Sequence, residues 1–405
     1  MSETQRPGST PGPLDKAEAP EAPTPVVRSA ALPLGLRSYA SLIVLLLVSA
    51  VMAGVGLATT RGWFESTPPA TPASTPAACR SGIEPGDPSV WTGDRTSASE
   101  AVYAAETGAL TTPAVPGRDG FVFWGDVQLD SFSQLLGRAP WLDEQRDGWR
   151  DYLRELRDAL EREGAELVVV VAPSSGTVYP QMLPEWTDPV RGLTHLDQLL
   201  SVSGDIPIVD VRGVLRDASE RDWVYSAVNS HWNPFGALVA WDAVAECLDA
   251  LYPESGYDQL ATHDVLSTEG QMPPNEFEEW GFAAPRADWV VPVVDPAPAT
   301  VTRSGVDGTQ SQLTWPEGLD PTELPVSTTG GAVDKRVLVA GDSQGKAQSA
   351  LWAQSFSSTV QIRHLLDDPS QRANILDAAR QNDSDLVVLE LTERFLSTPA
   401  PVVQR

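Results

Sequence analysis

Cysteine, histidine and positive charge are all scarce in this chain. Two cysteines and four histidines leave few ligands for a transition metal. None of them has the close spacing of a zinc site, so no metal and no cofactor are expected. Lysine and arginine number 28 against 55 aspartates and glutamates, giving a formal net charge of −27. That balance argues against a nucleic-acid partner, because phosphate binding needs a basic surface. No internal repeat is present. Long apolar runs are also missing, with one exception near the start.

The exception is residues 38–60, which run through Leu42-Ile43-Val44-Leu45-Leu46-Leu47-Val48 without a charge. At about 1.5 Å per helical residue such a stretch crosses a hydrocarbon core of roughly 30 Å. A cleaved signal peptide is the competing reading, but its apolar region is shorter and nearer the start. The stretch is therefore expected to be an uncleaved, single-pass anchor in contact with the lipid bilayer. Residues 1–35 before it are rich in Pro steps and poor in aromatics, as a disordered tail is. Lys16, Arg28 and Arg37 precede the span. The positive-inside tendency then puts the tail in the cytoplasm and the rest of the chain outside, in the cell membrane's extracytoplasmic space. Residues 61–78 include repeated Thr-Pro and Pro-Pro steps and read as a spacer. Cys79 and Cys247 both fall on the outer side, where a disulfide persists. A bridge between them is expected, and two unrelated thiols are the alternative.

From residue 79 to 405 the chain reads as globular. Trp149, Leu153, Leu156 and Leu160 recur at helical spacing, with Gly164 as a stop. Leu167-Val168-Val169-Val170-Val171 follows directly, a continuous apolar run typical of a strand covered on both faces. Residues 206–211 read as another strand. Asn233-Pro234 opens a helix that reaches about Leu251, with Asn as the N-cap and Pro at the first position. Residues 253–335, rich in Pro, Gly and acids, read as an insertion with a small β element around 289–294. Strand 337–340, a helix over 345–356, a strand near 359–362, a helix over 373–380 and a last strand over 386–391 complete the pattern. Strands alternating with helices predict an α/β domain, a three-layer sandwich on a mostly parallel sheet. Substrates of such sheets sit beyond the carboxyl ends of the strands.

Three segments carry candidate chemistry. In Val339-Ala340-Gly341-Asp342-Ser343-Gln344-Gly345, a buried strand ends and Gly341 permits a tight turn. Ser343 then arrives at the start of a helix, whose free N–H groups suit a developing oxyanion. An ordinary capped strand–helix turn explains the same residues. In Asn229-Ser230-His231-Trp232-Asn233, His231 has the residue type of a general base near neutral pH. Packing or capping is its plainer use. In Pro173-Ser174-Ser175-Gly176-Thr177-Val178-Tyr179, a loop leaves a central strand and offers Tyr179 as a substrate contact.

In this order, with Gly120-Phe121-Val122-Phe123 before them and Glu390–Phe395 after, these segments resemble the AlgJ/AlgX-like alginate O-acetyltransferase family over residues 115–396. The resemblance implies an SGNH-hydrolase-like fold, with an acid–x–His–Trp segment placed ahead of a Gly-Asp-Ser nucleophile. Ser343 would be the nucleophile and His231 the base. Gly341, Asp342, Tyr179 and Trp232 would line the oxyanion and substrate site. Asn229 stands where the family carries Asp, and Ser175 where it often has Lys. An amide orients an imidazole but does not offset its charge, so reduced activity or another carboxylate enters as an open alternative. Asp342, Asp222 and Asp210 are weak candidates for that carboxylate. The implied function is O-acetylation of an exported or cell-surface polysaccharide through a serine acetyl-enzyme, fed by a multispanning membrane acyltransferase. The alternatives are a catalytically silent polysaccharide-binding or scaffold subunit, for which Trp186, Trp280, Trp289 and Trp315 are candidate sugar platforms, and an acetyl-esterase.

Overall fold

A computed structural model describes residues 76–80, 96–305, 307–317, 326–364 and 374–403. The expected tail, the expected span over 38–60 and most of the spacer lie outside these residues. Among the described residues no helix is long and apolar enough to cross a membrane.

Among the described residues twelve strands occur in chain order. They are β1 (Ala114–Pro116), β2 (Val122–Trp124), β3 (Glu166–Ala172), β4 (Ile208–Asp210), β5 (Asp264–Gln271), β6 (Trp289–Asp295), β7 (Thr300–Gly305), β8 (Gln310–Thr314), β9 (Val326–Thr329), β10 (Val333–Gly341), β11 (Phe356–Arg363) and β12 (Leu386–Thr392). Eight of them form one sheet in the order β4-β3-β12-β10-β11-β9-β7-β8. From β4 to β11 every pairing is parallel, and from β11 to β8 every pairing is antiparallel.

The parallel half follows from continuous apolar runs. In β3, Val168, Val170 and Ala172 pack into one core, while Leu167, Val169 and Val171 pack into another on the opposite face. Alternate residues of β10 and β12 divide in the same way. One core is closed by the helix Pro234–Leu251 with Trp241, and by Trp352 of the helix Ser349–Ser355. The other is closed by the helices Asp143–Arg162, His195–Val202 and Ile375–Gln381. Helices on both faces are what a two-sided apolar sheet requires. The Asn233 side chain accepts from Gly236 N and Pro234 begins the helix, as their residue types predict. Gly164 ends the helix Asp143–Arg162 at φ +81°.

The mostly parallel sheet expected from the alternating pattern is corrected to a mixed one. Residues 253–335 do not merely form an excursion. They supply β7, β8 and β9, which widen the central sheet beyond β11, together with the separate hairpin pair of β5 and β6. The link from β7 to β8 is only a few residues long, which permits an antiparallel hairpin but no parallel crossover. β8 is largely exposed, so it lacks the run of buried residues that marks β3 or β12.

Asp210, at the end of β4, is occupied by Arg212. Its carboxylate and that of Asp197 both accept from Arg212, at 2.6–2.8 Å, inside a buried ion-pair set. Asp222 accepts from Trp223 N at 2.8 Å and serves only a local turn.

Cys79 and Cys247 are bridged. The disulfide fastens the short turn at Ala77–Cys79 to the helix Pro234–Leu251 across a sequence separation of 168 residues. In the chain-entropy account a closed loop of this size contributes about 3–5 kcal/mol. Replacing Cys247 with serine is expected to lower the denaturation midpoint accordingly, read by urea unfolding without reductant. An unchanged midpoint would show that the bridge adds no stability.

Candidate active site

Three carboxyl ends, those of β3, β12 and β10, lie side by side in the sheet, with Ala172 paired to Thr392 and Ala340 to Leu389. Ser343 leaves β10 at this edge and is half-buried. The Asp342 carboxylate accepts from Gln344 N at 2.8 Å and from Thr392 N at 2.7 Å. It therefore fastens the Ser343 turn to the end of β12. The expected helix over 345–356 is a short 3₁₀ turn, Ser343–Ala347, followed by the helix Ser349–Ser355. At its start Asp342 takes the Gln344 N–H, one of the N–H groups expected to face an oxyanion.

His231 reaches this edge from the segment before the helix Pro234–Leu251. Its Nε2 lies 2.9 Å from Ser343 Oγ. Trp232 is fully buried and donates from Nε1 to Gln344 O at 3.0 Å, so the residue after the histidine also braces the serine turn. On the far side of the ring, Nδ1 lies 3.1 Å from Asn229 Oδ1 and 2.6 Å from Glu276 Oε1. Burial pushes the Glu276 carboxyl up. The hydrogen bond and charge of His231, with the donors of Ser230, outweigh that and hold it down at about 2.

Glu276 is the site residue that the sequence reading missed. It lies between two prolines and an aromatic cluster, in a segment with no helical or strand periodicity. The only signal was a surplus of acids in residues 253–335. The other three histidines are elsewhere. His364 contacts Tyr152, His195 stacks on Trp141, and His263 faces Asp242.

Several expected contacts are corrected. Tyr179 is buried against Phe121 and Trp223, and its hydroxyl accepts from Val224 N at 2.8 Å, so it has no open face for substrate. Trp232 is a brace and not a binding surface. Gly341 has no left-handed backbone, and a Cβ there would meet Glu390 only at ordinary contact distance. The glycine that close packing requires is Gly345, where a Cβ would lie 2.9 Å from the Glu390 carboxylate. The Asp342 side chain caps the turn, the plainer use that its residue type allowed. Of the four candidate tryptophans only Trp280 is exposed, and it packs edge-on to Trp124 at 5.4 Å. Trp315 is buried, with Nε1 donating to Ala347 O.

Glu390 lies beneath the turn, fully buried. Burial first, and the adjacent Asp342 carboxylate second, push it up to about 8, with only the nearby Trp352 indole acting the other way. Neither oxygen finds a hydrogen-bond partner among the described residues. A carboxyl raised in the folded state favours folding fully below the ordinary carboxylate range, and that contribution is lost as pH rises through about 8. Denaturation from about pH 5 to pH 9 should therefore show the wild type losing stability as pH rises, and Glu390→Gln losing less. Parallel curves would place the ionisation elsewhere.

Comparison with known proteins bears on this arrangement. Residues 115–311, just under half of the chain, match the family described as "SGNH hydrolase-like domain, acetyltransferase AlgX". A probable alginate O-acetylase AlgJ of Pseudomonas syringae pv. tomato is 23% identical over 173 residues, covering 37% of this chain and 44% of that protein. Its counterpart in Pseudomonas putida is 28% identical over 154 residues, 32% of this chain and 39% of that protein. The chain thus spans less than half the length of these relatives. In fold, the structure of Bacillus cereus PatB1 with a sulfonyl adduct superposes with a TM-score of 0.50 at 13% identity, covering 71% of this chain and 98% of that one.

Proposed function

We propose, from the premise that residues 115–311 carry an SGNH hydrolase-like domain of the AlgX type, that this chain is a polysaccharide O-acetyltransferase working through an acetyl-serine. The observation that carries the reading is the 2.9 Å contact between Ser343 Oγ and His231 Nε2 at the carboxyl edge of a parallel sheet. That distance is within reach of direct proton transfer. The relatives named alginate O-acetylases supply the substrate class, a sugar hydroxyl as acceptor.

The steps follow from the contacts. Ser343 Oγ attacks the acetyl carbonyl of the donor as its proton passes to His231 Nε2. The tetrahedral adduct collapses, the donor's leaving group takes that proton, and the acetyl group stays on Ser343. A sugar hydroxyl then gives its proton to His231 and attacks the ester. The serine leaves, recovering the proton. Water in place of the sugar gives the esterase reaction with the same residues.

An acetyl-enzyme separates donor from acceptor in time, which suits an enzyme fed from a membrane. The apolar run over 38–60 would hold the domain at the outer face of the bilayer, and a multispanning acyltransferase would deliver the acetyl group there.

The test is acetyl-ester turnover by the full-length chain in detergent. Ser343→Ala is expected to cost on the order of 10³-fold or more in kcat. Turnover within about twofold of wild type in that variant would overturn the serine mechanism.

A further inference from the structure

We propose that Glu276 is the carboxylate of this catalytic set, replacing the acid that position 229 lacks, and that Asn229 is the residue that positions it. The inference rests on the reading of Ser343 as nucleophile and His231 as base.

Glu276 Oε1 lies 2.6 Å from His231 Nδ1, a charge-assisted distance. Its other oxygen accepts from Ser230 N at 2.8 Å and Trp124 Nε1 at 3.3 Å. The side chain is four-fifths removed from solvent, at 20% exposure, and it is anchored on both oxygens. Its backbone N donates to Val228 O at 3.0 Å. The acid is therefore fixed on the histidine segment itself, although 45 residues separate His231 from Glu276 in the sequence.

Asn229 explains how. Its Oδ1 accepts from His231 N at 2.9 Å, and its Nδ2 donates to Pro274 O at 2.8 Å. The amide thus ties the segment that bears Glu276 to the segment that bears His231. An aspartate at 229 has no N–H to give Pro274 O. It would also bring a second carboxylate to the same imidazole nitrogen, where two like charges disfavour each other. With Glu276 on Nδ1, an amide is the side chain this junction needs.

The proton balance is complete without further groups. Nδ1–H donates to Glu276, which leaves the Nε2 lone pair facing Ser343 O–H. When that proton moves to Nε2, the imidazolium lies against a carboxylate, and no proton passes to Glu276. Asn229 touches neither substrate nor reacting atoms and is a positioning residue, as is Glu276 through its hold on the ring.

The test uses the full-length chain in detergent with two probes, p-nitrophenyl acetate turnover and the rate of Ser343 sulfonylation by phenylmethylsulfonyl fluoride, read by mass. Glu276→Gln is expected to lower kcat on the order of 10²–10⁴-fold with KM little changed. It should slow sulfonylation in step and move the acid limb of the pH–rate profile to lower pH, because the imidazolium loses its counter-charge. Asn229→Asp alone is expected to reduce activity. The double variant, Glu276→Gln with Asn229→Asp, should regain about tenfold or more over Glu276→Gln by returning a carboxylate to Nδ1. A Glu276→Gln enzyme with wild-type kcat and pH profile, or an Asn229→Asp enzyme faster than wild type, would overturn the assignment. Ser343→Ala with intact turnover, or a wild type inert to both probes, would instead overturn the serine reading and the assignment with it.

Discussion

Asp342 is buried, and its two oxygens accept from Gln344 N on one side and Thr392 N on the other. One side chain thereby holds both the turn after β10 and the end of β12. Trp232 adds a third tie, from the histidine segment to Gln344 O. The 2.9 Å contact between His231 and Ser343 is a product of these ties. Two residues that meet at hydrogen-bond distance across 112 positions of sequence need each backbone fixed independently, because side-chain bonds alone do not offset the entropy of ordering two loops.

The same arrangement stores a cost. Glu390 lies fully buried next to the Asp342 carboxylate, and a Cβ at Gly345 would lie 2.9 Å from its carboxylate. A neutral carboxylic acid tolerates that place and a charged one does not. The Arg212 set shows the alternative solution, in which Asp197 and Asp210 are buried but share a guanidinium. Polar groups are thus concentrated under the carboxyl edge of the sheet, where site geometry takes precedence over the cheapest burial.

The sequence made legible what is encoded locally. Continuous apolar runs announced β3, β10 and β12, and Asn233-Pro234 announced the start of a long helix. That Ser343 and His231 would meet was readable from residue type and order, and the Cys79–Cys247 bridge from the expected compartment. Glu276 was not, because its place beside His231 involves Asn229 binding Pro274 O, a tertiary contact with no periodic signature. Tyr179 and Trp232 misled for the opposite reason. An aromatic next to candidate chemistry reads equally well as a binding surface or as core, and here both rings are buried. The three antiparallel strands were hidden because β7, β8 and β9 come from a Pro-, Gly- and acid-rich stretch and lack a continuous buried run.

The clamp at Asp342 also carries a temporal consequence. One of its two backbone partners is Thr392, the last residue of β12 and 50 positions later in the sequence. A polypeptide emerging amino end first therefore carries His231, Glu276 and Ser343 before the tie from Asp342 to Thr392 exists. The Ser343 turn is tied down only when β12 slots between β3 and β10, so the order of the earlier segment waits on a strand that follows it.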